Sequence, residues 1–251
     1  MFSIIKQDYA ICIPVYNEIN NLNRLLSNIN NYVLLNKEIR VEVYFCDDFS
    51  TDGSFEYLNK YCEGREKYNI MRFEKNNFGP GFIFKKFFSF LKNHNKTFDG
   101  VITIEADSTV RLDTINEMII MHNCNYDLIL ASPYSYSGSL KGTNFFRKIL
   151  SKLGNIFMSS LLGFNGINTL SSFMRLYDKS LINDICDNEK NISNGFVSVI
   201  EILYFVLKNK IKVIEIPITL NSDQRIGKSK LKIIRTILSY FKTVIKLRIY
   251  N

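Results

Sequence analysis

Short runs of apolar, β-branched residues recur along the chain and predict the strands of one sheet. They cover residues 9–15, 41–46, 69–73, 101–104, 128–131 and 213–216. Apolar positions with a helical period lie between and beyond these runs, and they predict helices over 20–31, 52–62, 81–93, 112–122, 145–162 and 194–208. Asp52 and Asn194 are the expected N-caps of two of these helices. This alternation predicts an α/β fold with a mostly parallel sheet covered by helices on both faces.

Polar clusters directly follow three of the predicted strands. Residues 13–18 read IPVYNE after the first, 47–54 read DDFSTDGS after the second, and 105–107 read EAD after the fourth. Ligands of parallel α/β sheets bind at the carboxyl ends of the strands. Alone, DDFSTDGS also fits a turn with a helix cap, and a lone ExD is common by chance. Their joint position favours one shared site, in which a cation or a set of hydrogen-bond donors offsets the like charges.

The charge distribution singles out the C-terminal segment. Net charge is +8, and eight of the 32 basic residues lie from residue 224 onward, where no acidic residue occurs. The first 223 residues hold the other 24 basic residues against 24 acidic ones. Stepping 100° per residue separates an apolar face from a basic one; the apolar face holds Leu231, Ile234, Ile237, Leu238, Phe241, Val244 and Ile245. The segment is a predicted basic amphipathic helix, which either docks on an anionic membrane or packs on the body of the protein.

Composition limits the remaining possibilities. With 251 residues, 46% hydrophobic and 22% charged, the chain is a folded protein, and we expect one domain over 1–223 and a basic loop with a helix over 224–251. Five scattered cysteines and two histidines favour a reducing compartment and disfavour a structural zinc site. No signal peptide is recognised, and the longest uncharged window, 153–174, is too polar to span a membrane. No nucleic-acid recognition motif is found, so nucleic acid is not an expected partner.

The motifs occur in the order found in a known family. IPVYNE, DDFSTDGS, the acidic ExD element, the helical segment 195–201 and QRIGKSKL at 224–231 resemble family 2 glycosyltransferases of the GT-A fold. The resemblance is closest to dolichol-phosphate mannose synthase and related polyprenyl-phosphate glycosyltransferases. Weaker matches are NFGPG at 77–81 and SSFMRLY at 171–177. The resemblance covers nearly the whole chain, and DDFSTDGS and RIGKSK are its most specific parts.

The resemblance implies a site for a GDP-linked or UDP-linked sugar. The positions that match the family's donor site are Pro14, Tyr16, Glu18, Asp47, Asp48, Glu105 and Asp107. Glu105 and Asp107 match the family's DxD element, which implies that they hold Mg²⁺ or Mn²⁺ on the donor diphosphate.

The resemblance also implies a basic side of the site. Arg225 and Lys230 match positions expected to contact the diphosphate and an acceptor phosphate. Arg175 is a further candidate for a phosphate contact, although a solvated arginine at a strand edge fits it equally well. Asp107, Arg225 and Lys230 are the residues expected to be catalytic.

Three positions depart from the family pattern. Glu105 replaces the usual first Asp of the DxD element, Thr109 stands where relatives often have Gln, and Asn168 stands where many relatives have Asp. The first two departures bear on the distances to the metal, and the third removes a carboxylate. A catalytically inactive, membrane-docked subunit is therefore one of the alternatives.

The class of acceptor is indicated by the lack of a candidate general base in the sequence. Family members that glycosylate a hydroxyl use a carboxylate as general base, often in an acidic pair, whereas the matching stretch 191–201 has no such pair and Glu201 lies among apolar neighbours. A phosphate with a second pKa of about 6 needs no base. We therefore expect an inverting hexosyltransferase that uses polyprenyl phosphate and is peripheral on the cytoplasmic face of an anionic membrane. An enzyme acting on a glycan hydroxyl is the other alternative.

Overall fold

The fold is described from a computed structural model, which covers residues 7–73, 77–164, 166–226 and 233–249, with side chains described for all of these but 147 and 233–237. Lys230 lies outside the described residues. The strands are β1 (Asp8–Val15), β2 (Arg40–Asp47), β3 (Tyr68–Arg72), β4 (Gly100–Thr103), β5 (Leu128–Ser132), β6 (Ser139–Lys141), β7 (Arg175–Asp178), β8 (Val213–Pro217) and β9 (Thr219–Asn221). The helices are α1 (Ile19–Leu35), α2 (Ser54–Cys62), α3 (Pro80–Lys92), α4 (Thr114–Asn123), α5 (Phe145–Leu162), α6 (Leu181–Asp187), α7 (Ser198–Leu207) and α8 (Ile233–Ile249).

Seven strands form the main sheet in the order β3-β2-β1-β4-β7-β5-β8. All neighbours are parallel except β7, which runs antiparallel between β4 and β5. The predicted mostly parallel α/β sheet is confirmed. Because β1, β2 and β4 are parallel neighbours, the three polar clusters that follow them lie at one edge of the sheet.

Apolar side chains on the two faces of the sheet form two cores, because successive residues of a strand point to opposite faces. In β1, Ala10 and Cys12 face α3, α6 and α7, whereas Ile11 and Ile13 face α1 and α4. Strands buried on both faces are apolar without alternation. This explains why the continuous apolar runs of β1, β2, β4 and β5 were sufficient to predict these strands.

The structure contains elements that the hydrophobic pattern did not predict. These are β7, the helix α6, and the separate parallel pair of β6 and β9. Each has seven residues or fewer, too short to show a helical or strand period.

The two predicted N-caps have different roles from those expected. Asn194 does not cap α7, whose N-cap is Val197; instead its carbonyl accepts from the Gly81 amide at 2.7 Å. Asp52 lies just before the Gly53 N-cap of α2 and accepts from the Ser54 amide at 3.0 Å.

The C-terminal helix α8 packs on α5 and α7. Val244 and Leu247 are fully buried in the same core as α3, whereas Leu238 and Ile245 on the predicted apolar face are more than half exposed. Packing on the body, one of the two predicted alternatives, therefore accounts for the inner part of that face. No described helix combines the length and the hydrophobicity that a bilayer span requires.

Candidate functional site

A polar cleft of about 750 Å³ lies at the carboxyl ends of β1, β2 and β4. Of the predicted site residues, the cleft is lined by Pro14, Tyr16, Glu18, Asp48, Glu105, Asp107 and Arg225. Asp47 is fully buried beside the cleft: its Oδ2 accepts from the Ser50 amide at 3.1 Å, and its Oδ1 has no partner among the described residues. The topology thus brings residues from four distant parts of the sequence to one rim.

Two of the polar clusters interlock and fix the floor of the cleft. The amides of Asn17 and Glu18 donate to the hydroxyls of Ser50 and Ser54, each at 2.9 Å. The first amide of α1, on Ile19, donates to Asp52 Oδ2 at 3.1 Å. The DDFSTDGS segment therefore caps α1 from a distance and holds the IPVYNE loop in place.

The rim carries unusual backbone geometry. Asn17, Phe49 and Ser108 have φ values of 50°, 62° and 57°. The left-handed region is uncommon for residues other than glycine and costs of order 1–3 kcal/mol. These three residues follow β1, β2 and β4 respectively, so the strained backbone coincides with the cleft.

Asp48 fixes the NFGPG loop, which forms one wall of the cleft. Its carboxylate accepts from the amides of Phe78 at 3.1 Å and Gly79 at 2.6 Å, just before α3. Burial raises the pKa of Asp48 above its usual value, and the two amides offset part of that shift. The side chain orients the NFGPG loop while remaining at the surface of the cleft.

Asp107 is the most constrained acid of the site. Its Oδ1 accepts from the amide and hydroxyl of Thr109, at 3.0 and 2.8 Å, and its Oδ2 pairs with the Arg225 guanidinium, with Nε at 2.8 Å. Burial and then the charge of Asp107 raise the pKa of Glu105 to about 8. Thr109, a departure from the family pattern, thus orients the carboxylate.

The segment that carries Arg225 is attached to α1. The side-chain amide of Asn21 accepts from the Ile226 amide at 3.0 Å and donates to the Ile226 carbonyl at 3.2 Å. The Arg24 guanidinium donates to the carbonyls of Gln224 and Asp107. Residues 224–226 therefore lie across the mouth of the cleft. Sequence reasoning missed Asn21 and Arg24, because polar residues on a helix face carry no distinguishing signal.

A second, more apolar cavity of about 310 Å³ adjoins the polar cleft. Its apolar lining includes Tyr134, Leu140, Leu150, Met158, Leu220 and Tyr240. Both cavities are lined by Glu105, Phe173 and Arg225, so they meet at the acidic end of β4. A ligand with a charged group at this junction can have an apolar part in the second cavity.

Arg175 is not placed to contact a bound phosphate. Its side chain is fully buried, and its guanidinium donates to the carbonyls of Val199 at 2.6 Å and Leu170 at 2.7 Å. It lines neither cavity. The predicted phosphate contact is corrected to a structural role, in which Arg175 links β7 to α7 and the loop before β7.

The family model described as glycosyl transferase family 2 matches residues 10–186. This range includes β1 to β5, β7 and the acidic residues of the cleft. The chain belongs to glycosyl transferase family 2.

Two curated relatives of this glycosyltransferase support the subgroup that its motifs resemble. One is the polyprenol monophosphomannose synthase of Mycolicibacterium smegmatis, 23% identical over 90% of this chain and 81% of its own length. The other is the dolichol-phosphate mannosyltransferase of Pyrococcus furiosus, 26% identical over 95% of this chain. The chain spans 63% of the length of that second relative.

A solved structure supports the predicted fold. The glucosyl-3-phosphoglycerate synthase of Mycobacterium tuberculosis, in complex with Mg²⁺ and UDP, matches with a TM-score of 0.63 at 11% identity. The match covers 96% of this chain and 78% of that protein. The predicted GT-A fold, with its additional C-terminal helix, is confirmed.

The residues of this glycosyltransferase fit a divalent cation bound together with a donor. No described cluster of three or more His, Cys, Asp or Glu side chains would hold an ion by itself. Mg²⁺ is typically held by one or two carboxylates plus substrate phosphates, and Glu105 and Asp107 supply two carboxylates at one strand end. Burial first, and then the charge of Asp107, raise the pKa of Glu105, and a bound cation would offset both by favouring the ionised carboxylate.

Proposed function

We propose that the chain transfers a sugar, with inversion, from a nucleotide-sugar donor to a polyprenyl phosphate. The observation that carries this proposal is the junction at Glu105, Phe173 and Arg225, where the polar cleft meets the apolar cavity. A charged donor and an apolar acceptor would come together at this point. The two curated relatives, a polyprenol monophosphomannose synthase and a dolichol-phosphate mannosyltransferase, support the same acceptor class.

The donor would lie in the polar cleft. Pro14, Tyr16 and Glu18 line it at the carboxyl end of β1, and Asp48 lines it beside the NFGPG loop. Carboxylates at strand ends suit the N–H edge of a nucleobase and the hydroxyls of a ribose. Asp47 is fully buried and does not line the cleft, and we propose that it supports the donor site indirectly, by accepting from the Ser50 amide.

The diphosphate would lie at the junction. Glu105 and Asp107 would hold Mg²⁺ or Mn²⁺, which offsets the charge of the departing nucleoside diphosphate when bound. Arg225 lines both cavities, and its guanidinium would donate to phosphates on either side. Lys230, outside the described residues, is proposed to add a second cationic contact.

The acidic residues favour a phosphate acceptor over a hydroxyl. Among the described residues that line the apolar cavity, Glu105 is the only acid and Arg225 the only cation. If Glu105 holds a cation, it does not serve as a base for a hydroxyl. Glu201 is 2% exposed and accepts from the amide and hydroxyl of Ser193, at 2.6 and 2.8 Å. Its role is therefore structural, and an ionised phosphate oxygen attacks without a base.

A polyprenyl acceptor resides in a bilayer, so the proposal places the chain peripherally at the cytoplasmic face of an anionic membrane. The eight basic residues from residue 224 onward support this location. Each basic residue near an anionic surface contributes about 1 kcal/mol of attraction.

Transfer by the purified chain tests this function. The chain is incubated with GDP- and UDP-sugars, Mn²⁺ and a short, water-soluble prenyl phosphate, and the product is extracted and identified by mass spectrometry. Asp107→Asn or EDTA should abolish most transfer, and Arg225→Ala should lower kcat/KM by a factor equivalent to about 1.5–3 kcal/mol.

Arg40→Ala is the matched control for Arg225→Ala, because Arg40 is an exposed arginine paired with Asp8 at the opposite edge of the sheet. Its turnover should equal that of the wild type. Absence of transfer from every sugar nucleotide, or unchanged turnover in Arg225→Ala, would contradict the proposal.

A further inference from the structure

Helix α5 presents an apolar face to solvent. Its large apolar residues that are at least one-third exposed are Phe145, Phe146, Ile149, Leu150, Leu153, Ile156, Phe157 and Leu161. At 3.6 residues per turn these positions occupy one continuous arc of the helix, in which Ser160 is the one polar residue. The usual amphipathic pattern of a surface helix puts polar residues on this side. We call this surface the α5 apolar face.

The opposite side of α5 faces the protein. Asn155, Met158 and Leu162 are buried there, and Met158 lines the apolar cavity together with Leu150 and Gly154. Leu150 belongs to both surfaces, so the α5 apolar face borders the cavity that would hold the acceptor chain.

The α5 apolar face continues onto α8. The rings of Phe157 and Phe241 lie 5.8 Å apart, and Leu238, Ile245 and Ile249 on α8 are more than half exposed. The combined surface spans two helices. Contiguous exposed apolar surface of this kind marks an interaction site rather than ordinary solvent-facing surface.

The charges around the face identify its partner. Residues 141–162 and 224–251 contain no acidic residue. Cationic side chains flank the apolar surface: Lys148 and Lys152 on α5, and Lys242, Lys246 and Arg248 on α8. A two-fold contact with a second copy would bring these like charges together, which is unfavourable. An anionic bilayer offers acyl chains for the apolar residues and negative headgroups for the lysines.

We propose that the α5 apolar face, extended by the exposed residues of α8, inserts into the interfacial region of an anionic bilayer. This inference rests on the proposed function, because insertion places the apolar cavity at the depth from which a membrane-embedded polyprenyl phosphate enters. It assigns the principal apolar contact with the membrane to α5, whereas the buried residues of α8 serve the protein core.

Vesicle flotation of the full chain tests the insertion. Wild type should float with vesicles of equal parts phosphatidylcholine and phosphatidylglycerol, and binding should weaken with pure phosphatidylcholine or high salt. Phe146→Ser combined with Leu153→Ser should lower the partition coefficient about tenfold or more, because both side chains are more than half exposed on the face. The matched control is Leu35→Ser combined with Ile120→Ser, two exposed apolar residues on α1 and α4, which should bind like wild type.

Fluorescence provides a second measurement, because the chain contains no tryptophan. Leu153→Trp should shift its emission to shorter wavelength with anionic vesicles and be quenched by brominated acyl chains. Leu35→Trp, on the other side of the sheet, should do neither. Equal flotation of wild type and the Phe146/Leu153 double variant, or an unshifted Leu153→Trp spectrum, would overturn the inference.

Two further readouts separate this inference from its alternatives. The Phe146/Leu153 double variant should keep transfer to a short soluble prenyl phosphate and lose most transfer to a long one in vesicles. Wild type that floats but transfers to neither acceptor would contradict the proposed function and leave the insertion supported. Wild type that is dimeric by light scattering without lipid, with a monomeric double variant and no flotation, would assign the face to a second copy.

Discussion

The carboxylate of Asp107 has different partners on its two oxygens, and this division decides what a ligand has to displace. Oδ1 is held by the amide and hydroxyl of Thr109, whereas Oδ2 is held by Arg225. A cation held by Oδ2 would compete with the Arg225 contact, whereas the Thr109 contacts at Oδ1 would still orient the carboxylate. Thr109, which stands where close relatives often have Gln, is compatible with this arrangement.

The departure at Asn168 also has a physical account. Glu215 in β8 accepts from the amide of Asn168 at 2.8 Å, from its side-chain nitrogen at 3.0 Å and from the Thr169 amide at 2.7 Å. An aspartate at position 168 would bring a like charge beside Glu215 and remove one donor. Asn168 therefore fits its surroundings. The departure at Asn168 is visible in the sequence, but its pairing with Glu215 is visible only in the fold.

The first prediction concerns Asp52, whose hydrogen bonds connect two loops of the cleft. Burial raises its pKa, but the hydrogen bonds from Ser54 and Ile19 outweigh burial and the pKa lies below its usual value. Because the pKa of Asp52 is lower in the folded state, its ionised carboxylate stabilises the fold at pH values above the unfolded-state pKa of about 4. This stability is lost as the pH falls through the folded-state pKa.

Asp52→Asn should therefore lower the melting temperature at pH 7, and the difference from wild type should shrink as the pH falls below about 4. Thermal unfolding followed by circular dichroism across this range measures the effect. Asp187→Asn, which removes an exposed carboxylate of α6, is the control and should have little effect at pH 7. A difference between Asp52→Asn and wild type that is constant with pH would contradict this account.

At the scale of elements, the contact between α3 and the segment before α7 fixes the cleft wall that the NFGPG loop forms. The amides of Gly81 and Phe82 donate to the Asn194 carbonyl at 2.7 and 3.2 Å. Glu201 holds the preceding residue, Ser193, and Asp48 holds Gly79. This chain of contacts links the α7 side of the protein to the donor cleft.

The second prediction concerns the glycine at this contact. A Cβ atom on Gly81 would lie 2.2 Å from the Ser193 carbonyl oxygen and 2.5 Å from Ser198 Cβ. Gly81→Ala should therefore destabilise the protein by about 1–3 kcal/mol and weaken donor binding, because the NFGPG loop has to move. Gly195→Ala, in the same contact but with no atom within 4 Å of the added Cβ, is the control.

Urea unfolding measures the stability change, and thermal stabilisation by a sugar nucleotide measures donor binding. If Gly81→Ala and Gly195→Ala have the same stability and the same donor response, the contact does not position the cleft.

The elements differed in how well the sequence predicted them, and length explains most of the difference. Helix α5 has the predicted bounds, and the buried strands β1 and β2 end within a residue or two of the predicted positions. The strand β7, with the sequence RLYD, has too few residues to show a period. Its antiparallel insertion therefore required the three-dimensional structure.

At the scale of the whole molecule, the polar cleft and the apolar cavity also differ in how well the sequence predicts them. The polar cleft was predictable, because parallel strands place their carboxyl ends at one edge and three of them end in acids. The apolar cavity was not, because its lining comes from α5, α8, β6, β9 and the loop before β7. Arg175 and Arg225 are both basic, and only the fold distinguishes the buried one from the one at the junction.

The central claim is that the junction at Glu105 and Arg225 serves a phosphate acceptor that needs no general base. The most direct measurement compares two acceptors with the same short prenyl chain, one ending in a phosphate and one in a hydroxyl. With the sugar nucleotide that stabilises the chain most, the account predicts transfer to the phosphate alone, giving a sugar phosphodiester of inverted anomeric configuration by NMR. Comparable transfer to the alcohol, or a product with retained configuration, would contradict it.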